Sequence, residues 1–138
     1  MKNLKKTVVF GAVLALMSCQ QSGPVEIISG KDQCDNCKMT ITKVNYATEL
    51  LTEKGRAYKF DDIMCMDMYK TSNPDKAKNS KQYAVDFESG KFVETNKATF
   101  IKGGEIKSPM GGNTQAYTDK ATAEKAATKL GASIIDRK

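Results

Sequence analysis

Cys34-Asp35-Asn36-Cys37-Lys38-Met39 places two thiols and a thioether within six residues. Cysteine and methionine sulfurs are soft, polarizable donors, a combination that suits Cu(I) better than any hard cation. A Cys-x-x-Cys pair can aim both sulfurs at one point. If the chain beyond it is extended, Cys37, Met39 and Ile41 share a face, because side chains alternate with period two. Two later stretches carry the same chemistry: Met64-Cys65-Met66 and Ser108-Pro109-Met110-Gly111-Gly112. The chain therefore reads as one that folds to gather some of its sulfurs, with Cys34, Cys37, Met39, Cys65 and Met110 as candidate metal ligands. No catalytic residues are assigned.

Each of these positions has a competing reading. Cys34 and Cys37 could form a redox disulfide, but such a motif usually opens a helix after a strand in a βαβ unit. Asp35-Asn36 disfavours helix and no βαβ pattern surrounds the pair. A c-type haem site is excluded because Lys38 stands where histidine is required. A zinc ribbon is disfavoured, since the chain has no histidine and, beyond residue 19, only one further cysteine. Met64, Met66 and Met68 read first as adaptable packing in a core helix. Cys65 falls in the first turn of that helix, where the dipole lowers a thiol pKa, and it stands open between core residue and ligand or resolving thiol. Met110 lies between proline and two glycines, in a loop where core packing asks for no methionine. There the functional reading is preferred.

The start of the chain reads as a targeting signal. Lys2, Lys5 and Lys6 precede an apolar run from Thr7 to Met17 that is too short and too early for a transmembrane helix. It ends in Leu16-Met17-Ser18-Cys19, which resembles a bacterial lipobox with cleavage after Ser18 and lipidation of Cys19. Cleavage would shorten the 138-residue chain by 18, and the net charge of +6, less those three lysines, would become +3. That small excess, spread without a compact basic run, argues against nucleic acid as a partner. With Cys19 acylated, three cysteines remain, so any single disulfide leaves a free thiol.

The elements that must position the sulfurs follow from turn and cap signals. Val25 to Ile28 is a possible edge strand. Tyr46 to Thr52 and Arg56 to Phe60 read as a hairpin around Glu53-Lys54-Gly55. Asp61-Asp62 starts a helix running to about Lys70, stopped by Asn73-Pro74-Asp75. Lys76 to Lys81 reads as loop. Gln82 to Phe87 and Lys91 to Thr95 form a hairpin around Glu88-Ser89-Gly90. Ala98 to Lys102 and Thr114 to Tyr117 are further strands, Thr118-Asp119 caps a helix from Lys120 to Leu130, and Ser133 to Ile135 closes the chain. The order ββαβ occurs twice, with Tyr58-Lys59-Phe60-Asp61-Asp62 and Gln115-Ala116-Tyr117-Thr118-Asp119 in matching places. The fold class is α+β. The organisation is residues 1–18 signal peptide, 19–33 tether and possible edge strand, and a domain over 34–138 made of two ββαβ units, 34–90 and 91–138.

Together these residues resemble the NosL family of lipoprotein copper chaperones associated with assembly of nitrous oxide reductase. The resemblance is carried by Cys19, the Cys34-x-x-Cys37-x-Met39-x-Ile41 knuckle, Phe60-Asp61-Asp62 followed by Cys65-Met66, and Ser108-Pro109-Met110-Gly111 followed by Ala116-Tyr117. It implies two ββαβ units, Cu(I) binding outside the cytoplasm at a sulfur-rich site that includes Met39 and Met110, and delivery to nitrous oxide reductase or its copper-assembly transporter. The chain would be held at a membrane by its lipid anchor, facing the periplasm or exterior. Two departures stand out. Lys38 occupies a position where many relatives have glycine, and there is no histidine, so sulfur, Asp35, a backbone group or a partner must complete the site. The rival readings are a thiol oxidoreductase using Cys34 and Cys37, a lyase acting on organomercurials, and a soft-metal storage or sensing module. A site of Met39, Met110 and one cysteine is expected, binding Cu(I) with release of about one proton, against about three for Cys34, Cys37 and Cys65 together.

Overall fold

The computed structural model describes residues 21–137; the signal-peptide and Cys19 lipidation readings lie outside the described residues. The first hairpin joins Thr48–Leu51 (β1) to Ala57–Phe60 (β2), in the register Thr48↔Phe60 and Leu50↔Tyr58. Its turn depends on Gly55, whose φ of 83° is cheap only without a Cβ. Ile63–Ser72 (α1) follows at once, capped by the Asp62 side chain, which accepts from Met64 N–H at 2.9 Å. Pro74–Ala77 (α2) is a single helical turn where loop was expected. Pro74 sits at its first position, where a missing N–H costs nothing and φ is already helical. Lys81–Val85 (β3) then pairs antiparallel with β1, and Phe92–Glu94 (β4) with β3, giving the sheet order β2-β1-β3-β4. The β3–β4 hairpin thus carries the first sheet past residue 90 to Glu94.

The second half repeats the topology. Thr99–Lys102 (β5) pairs with Thr114–Tyr117 (β6) and with Ser133–Ile135 (β7), and Lys120–Leu130 (α3) makes the crossover. The order β6-β5-β7 matches β2-β1-β3: in each half the first strand is central and a helix connects the two that flank it. This is a split βαβ arrangement. The helix starts match too, since Asp119 caps α3 by accepting from Thr122 N–H at 2.8 Å. Gly131, at φ 62°, ends that helix in the left-handed conformation. The α+β class and the doubled ββαβ order read from the sequence are both present.

Burial follows from the pleat. Leu50, Tyr58 and Phe60 lie under α1 with Ile63, Cys65 and Met66. Tyr69 brings its ring to 5.0 Å from Tyr58 and 5.2 Å from Phe60. The same core reaches Phe100 and Ala116 of the second sheet, while Ile101 and Tyr117 pack under α3 with Ala123 and Ala127. β6 is therefore buried along its whole length. The two sheets are stitched by the parallel bridge Asp86↔Ala116 and by Phe87 N–H donating to Ala116 O at 2.9 Å.

The segment Val25 to Ile28 is not a strand. Its amides are spent on side chains: Val25 N–H donates to both Glu49 carboxylate oxygens, at 3.0 and 3.1 Å, and Ile28 N–H to Asp32 Oδ2 at 2.7 Å. Lys59 Nζ donates to Glu26 O and Asp32. The segment is a strap across the face of β1 and β2 that α1 does not cover, which explains why Glu49, at the centre of that face, is fully buried.

Candidate metal centre

The knuckle is built from backbone bonds that a short Cys-x-x-Cys loop dictates. Cys34 N–H donates to Met39 O at 2.8 Å and Lys38 N–H to Cys34 O at 2.9 Å, with Gln33 and Thr40 bridged at its base. Closing so tight a loop forces Lys38 to φ 65°, a left-handed conformation that favours glycine. The Lys38 ammonium partly offsets this by donating to Asp35 O at 2.7 Å. The knuckle is fastened to the outer edge of β2: Asp35 N–H donates to Lys59 O, and Lys59 N–H to Asp35 Oδ2, both at 2.8 Å. An edge strand with open amides is thereby covered. Asp35 Oδ2 is engaged in this anchor, and Asp35 is not among the residues that converge on the metal cluster.

The left-handed residue also breaks the period-two pattern. Ile41 is fully buried, whereas Met39 is 60% exposed, so Cys37, Met39 and Ile41 do not share one face. What the knuckle does present is Cys34, buried, and Cys37, half-buried. Opposite them stand Asp61 at the end of β2 and Cys65 in the first turn of α1. The Sγ atoms of Cys34, Cys37 and Cys65 and a carboxylate oxygen of Asp61 all lie within 4.8 Å of one another. All three thiols are free. Of the sequence-selected residues, the fold brings together Cys34, Cys37 and Cys65. Asp61 joins them and was read from sequence as part of a helix start and of the Phe60-Asp61-Asp62 motif, not as a ligand; the doublet Asp61-Asp62 was the available signal, because one carboxylate suffices for a cap.

The environment of each group is specific. Burial pushes the Cys34 thiol up, against the opposing pull of backbone N–H groups from Cys37, Asp61 and Asn36. Cys37 N–H approaches Cys34 Sγ at 3.5 Å. Burial also pushes the Cys65 thiol far up, helped by its hydrogen bond to Asp61 and by the neighbouring Cys34. Cys37 Sγ donates to Asp61 Oδ2 at 3.5 Å, while Asp61 Oδ1 is buried with no hydrogen-bond partner. A buried carboxylate oxygen without a donor is costly, and a cation among the thiols would satisfy it. The donor set fits a soft metal: three sulfurs that ionise on binding, one carboxylate beside them, and an open side at Cys37.

Met110 belongs to a loop held next to this cluster. Asp62, the neighbour of Asp61, caps α1 with Oδ1 and receives the loop on Oδ2, which accepts from Met110 N–H at 3.0 Å, Gly112 N–H at 3.3 Å and the Ser108 hydroxyl. Ser108 and Asn113 close the loop on itself. Gly112 is required by proximity: a Cβ there would come within 2.4 Å of Asp62 Oδ1. Met110 is partly buried against the core that contains Cys34 and Cys65. The methionines of α1 divide: Met66 is fully buried, and Met64 and Met68 are exposed.

A family model described as NosL matches residues 24–137. The chain belongs to the NosL family. Its fold is similar to a crystal structure of the copper chaperone NosL from Shewanella denitrificans, at 17% sequence identity and a TM-score of 0.65. That match covers 84% of this chain and 92% of the other. No curated protein matches the chain. Among the described residues no helix is long and apolar enough to cross a membrane.

Proposed function

We propose that this NosL-family protein binds Cu(I) at Cys34, Cys37 and Cys65 and passes it to a partner metalloprotein, without catalysis of its own. The observation that carries the reading is the convergence of three free thiols with the Asp61 carboxylate, whose Oδ1 is buried without a hydrogen-bond partner. Copper here is cargo. It enters at Cys37, the one sulfur of the cluster that is not buried, and the thiol protons leave to solvent as it is bound. Met39 and Met110, on the two loops bordering the cluster, supply neutral thioether donors that can replace a thiolate one at a time. A low-coordinate Cu(I) site leaves room for such exchange. Nitrous oxide reductase or its copper-assembly transporter is the proposed recipient, and a lipid on Cys19 the proposed membrane anchor, facing the periplasm or exterior.

The test is an anaerobic Cu(I) competition titration of the mature chain. One tightly bound Cu(I), lost in Cys34→Ser and Cys65→Ser, is the expected outcome. Absence of stoichiometric tight binding overturns the chaperone reading. A second reading has one observation in its favour: three thiolates and a carboxylate are also a tetrahedral zinc set. Metal reconstitution with both ions present decides between them, since retention of zinc and exclusion of Cu(I) makes the site structural.

A further inference from the structure

Helix α1 sorts its methionines by face. Met64 is 37% exposed and Met68 51% exposed, while Cys65 and Met66 between them are fully buried. Among the described residues five large hydrophobic side chains are exposed, and three of them are Met39, Met64 and Met68. Leu, Lys, Gln and Glu match methionine in helix propensity, so nothing in the helix itself asks for thioethers on this face. Residues four apart on a helix stand one above the other, with Cβ atoms about 5–6 Å apart. Their side chains lean toward the helix N-terminus. At that end Met64 is pinned: Gly112 of the Met110 loop lies so close that a Cβ there would meet the Met64 Cβ at 3.2 Å. Asp67, the carboxylate on this stretch of helix, is engaged by Arg137 and Lys70.

We propose that Met64 and Met68 form a second soft-metal site, a surface thioether pair that takes Cu(I) outside the thiol cluster. The identity of the metal rests on the Cu(I) reading of that cluster. Two neutral thioethers hold Cu(I) without losing a proton and in contact with solvent, so this site is weaker than the cluster and insensitive to pH. It sits on the helix face next to the one that carries Cys65, with Met64 one residue before Cys65 and Met68 three after it, where an incoming or departing ion can be held. Passage inward exchanges two Cu–thioether bonds for two Cu–thiolate bonds. Two thiol protons leave to solvent, and the copper stays Cu(I) throughout.

The experiment follows the methionine methyl groups, labelled with carbon-13, by NMR during anaerobic Cu(I) titration of the intact chain in detergent. Ag(I) serves as a redox-inert second probe. With the first equivalent in the cluster, the second is expected to shift the Met64 and Met68 methyls together, equally at pH 6 and pH 8. Met64→Leu/Met68→Leu, both at exposed positions, should lower affinity for the second equivalent at least tenfold and leave the first within twofold. Methyls that do not move with excess metal, or a second equivalent that survives in the double variant, overturn the proposal. If the methyls shift but no tight first equivalent exists, the cluster reading fails and the thioether site stands.

Discussion

At the scale of single residues, the decisive chemistry is protonation. Burial holds the Cys34 and Cys65 thiols above their ordinary range, so both are neutral at pH 7 in the metal-free protein. On the proposed reading Cu(I) displaces those protons, and affinity should rise with pH. We expect about two to three protons released per copper between pH 6 and 8, measured as the slope of log affinity against pH. This is steeper than the single proton expected for a site of Met39, Met110 and one cysteine; a slope near one would hand the metal back to the thioethers. Met110→Leu keeps the volume and removes the donor. It should leave the apo melting temperature nearly unchanged and Cu(I) affinity within about twofold, while slowing transfer of Cu(I) to a competing chelator about tenfold, roughly 1.4 kcal/mol in the barrier. An unchanged transfer rate removes Met110 from the exchange path. Lys38 tests the knuckle itself. At φ 65°, Lys38→Gly should be neutral or stabilising, whereas the β-branched Lys38→Val should cost about 1–2 kcal/mol in a denaturant melt.

At the scale of elements, the start of α1 is where the two halves of the molecule are tied at the site. Asp61 faces the thiols and Asp62 faces the helix and the Met110 loop. Because Asp62 serves as cap and as three-fold loop acceptor, Asp62→Ala should destabilise by about 2–4 kcal/mol, the sum of a lost cap and orphaned donors. Gly112→Ala drives a Cβ onto Asp62 Oδ1, the oxygen that caps α1, so it should strain the cap as well as the loop, with less global loss because the Asp62 carboxylate itself remains. Hydrogen exchange at Met110 and Gly112 amides separates the two outcomes: fast exchange is expected in both variants, global destabilisation chiefly in the first. Protected amides in Gly112→Ala would mean that the loop tolerates a Cβ there.

At the scale of the whole molecule, the strap over the first sheet buries Glu49, and that burial raises its carboxyl to about 7, against the weaker pull of Val25 N–H and of Lys59. The unfolded chain ionises this group near pH 4.3. Between those values the folded state binds the extra proton, so its contribution favours folding at low pH and is lost as pH rises toward 7. Glu49→Gln should abolish this loss, leaving the variant more stable than the parent above pH 7 by roughly 1–3 kcal/mol. Thermal melts of both proteins from pH 5 to 8 provide the measurement. Parallel pH profiles would show that Glu49 is solvated through the strap.

Local signals were enough to read the α+β class, the doubled ββαβ order, both helix caps at Asp62 and Asp119 and the Gly131 stop, because each depends on residues within one or two turns of chain. The sulfur chemistry was legible for the same reason: thiols at Cys34 and Cys37 are neighbours whatever the fold. Tertiary structure decided what distance in sequence concealed. It brought Cys65, a fully buried core residue, to Cys34 and Cys37 and added Asp61, since only the docking of the knuckle on the edge of β2 brings that carboxylate to the thiols. It turned Val25 to Ile28 from a strand into a strap, because Glu49 and Asp32 captured the amides a ladder would have used. It split the methionines of α1 between core and surface. These outcomes depend on which faces meet, and packing between segments far apart along the chain settles that.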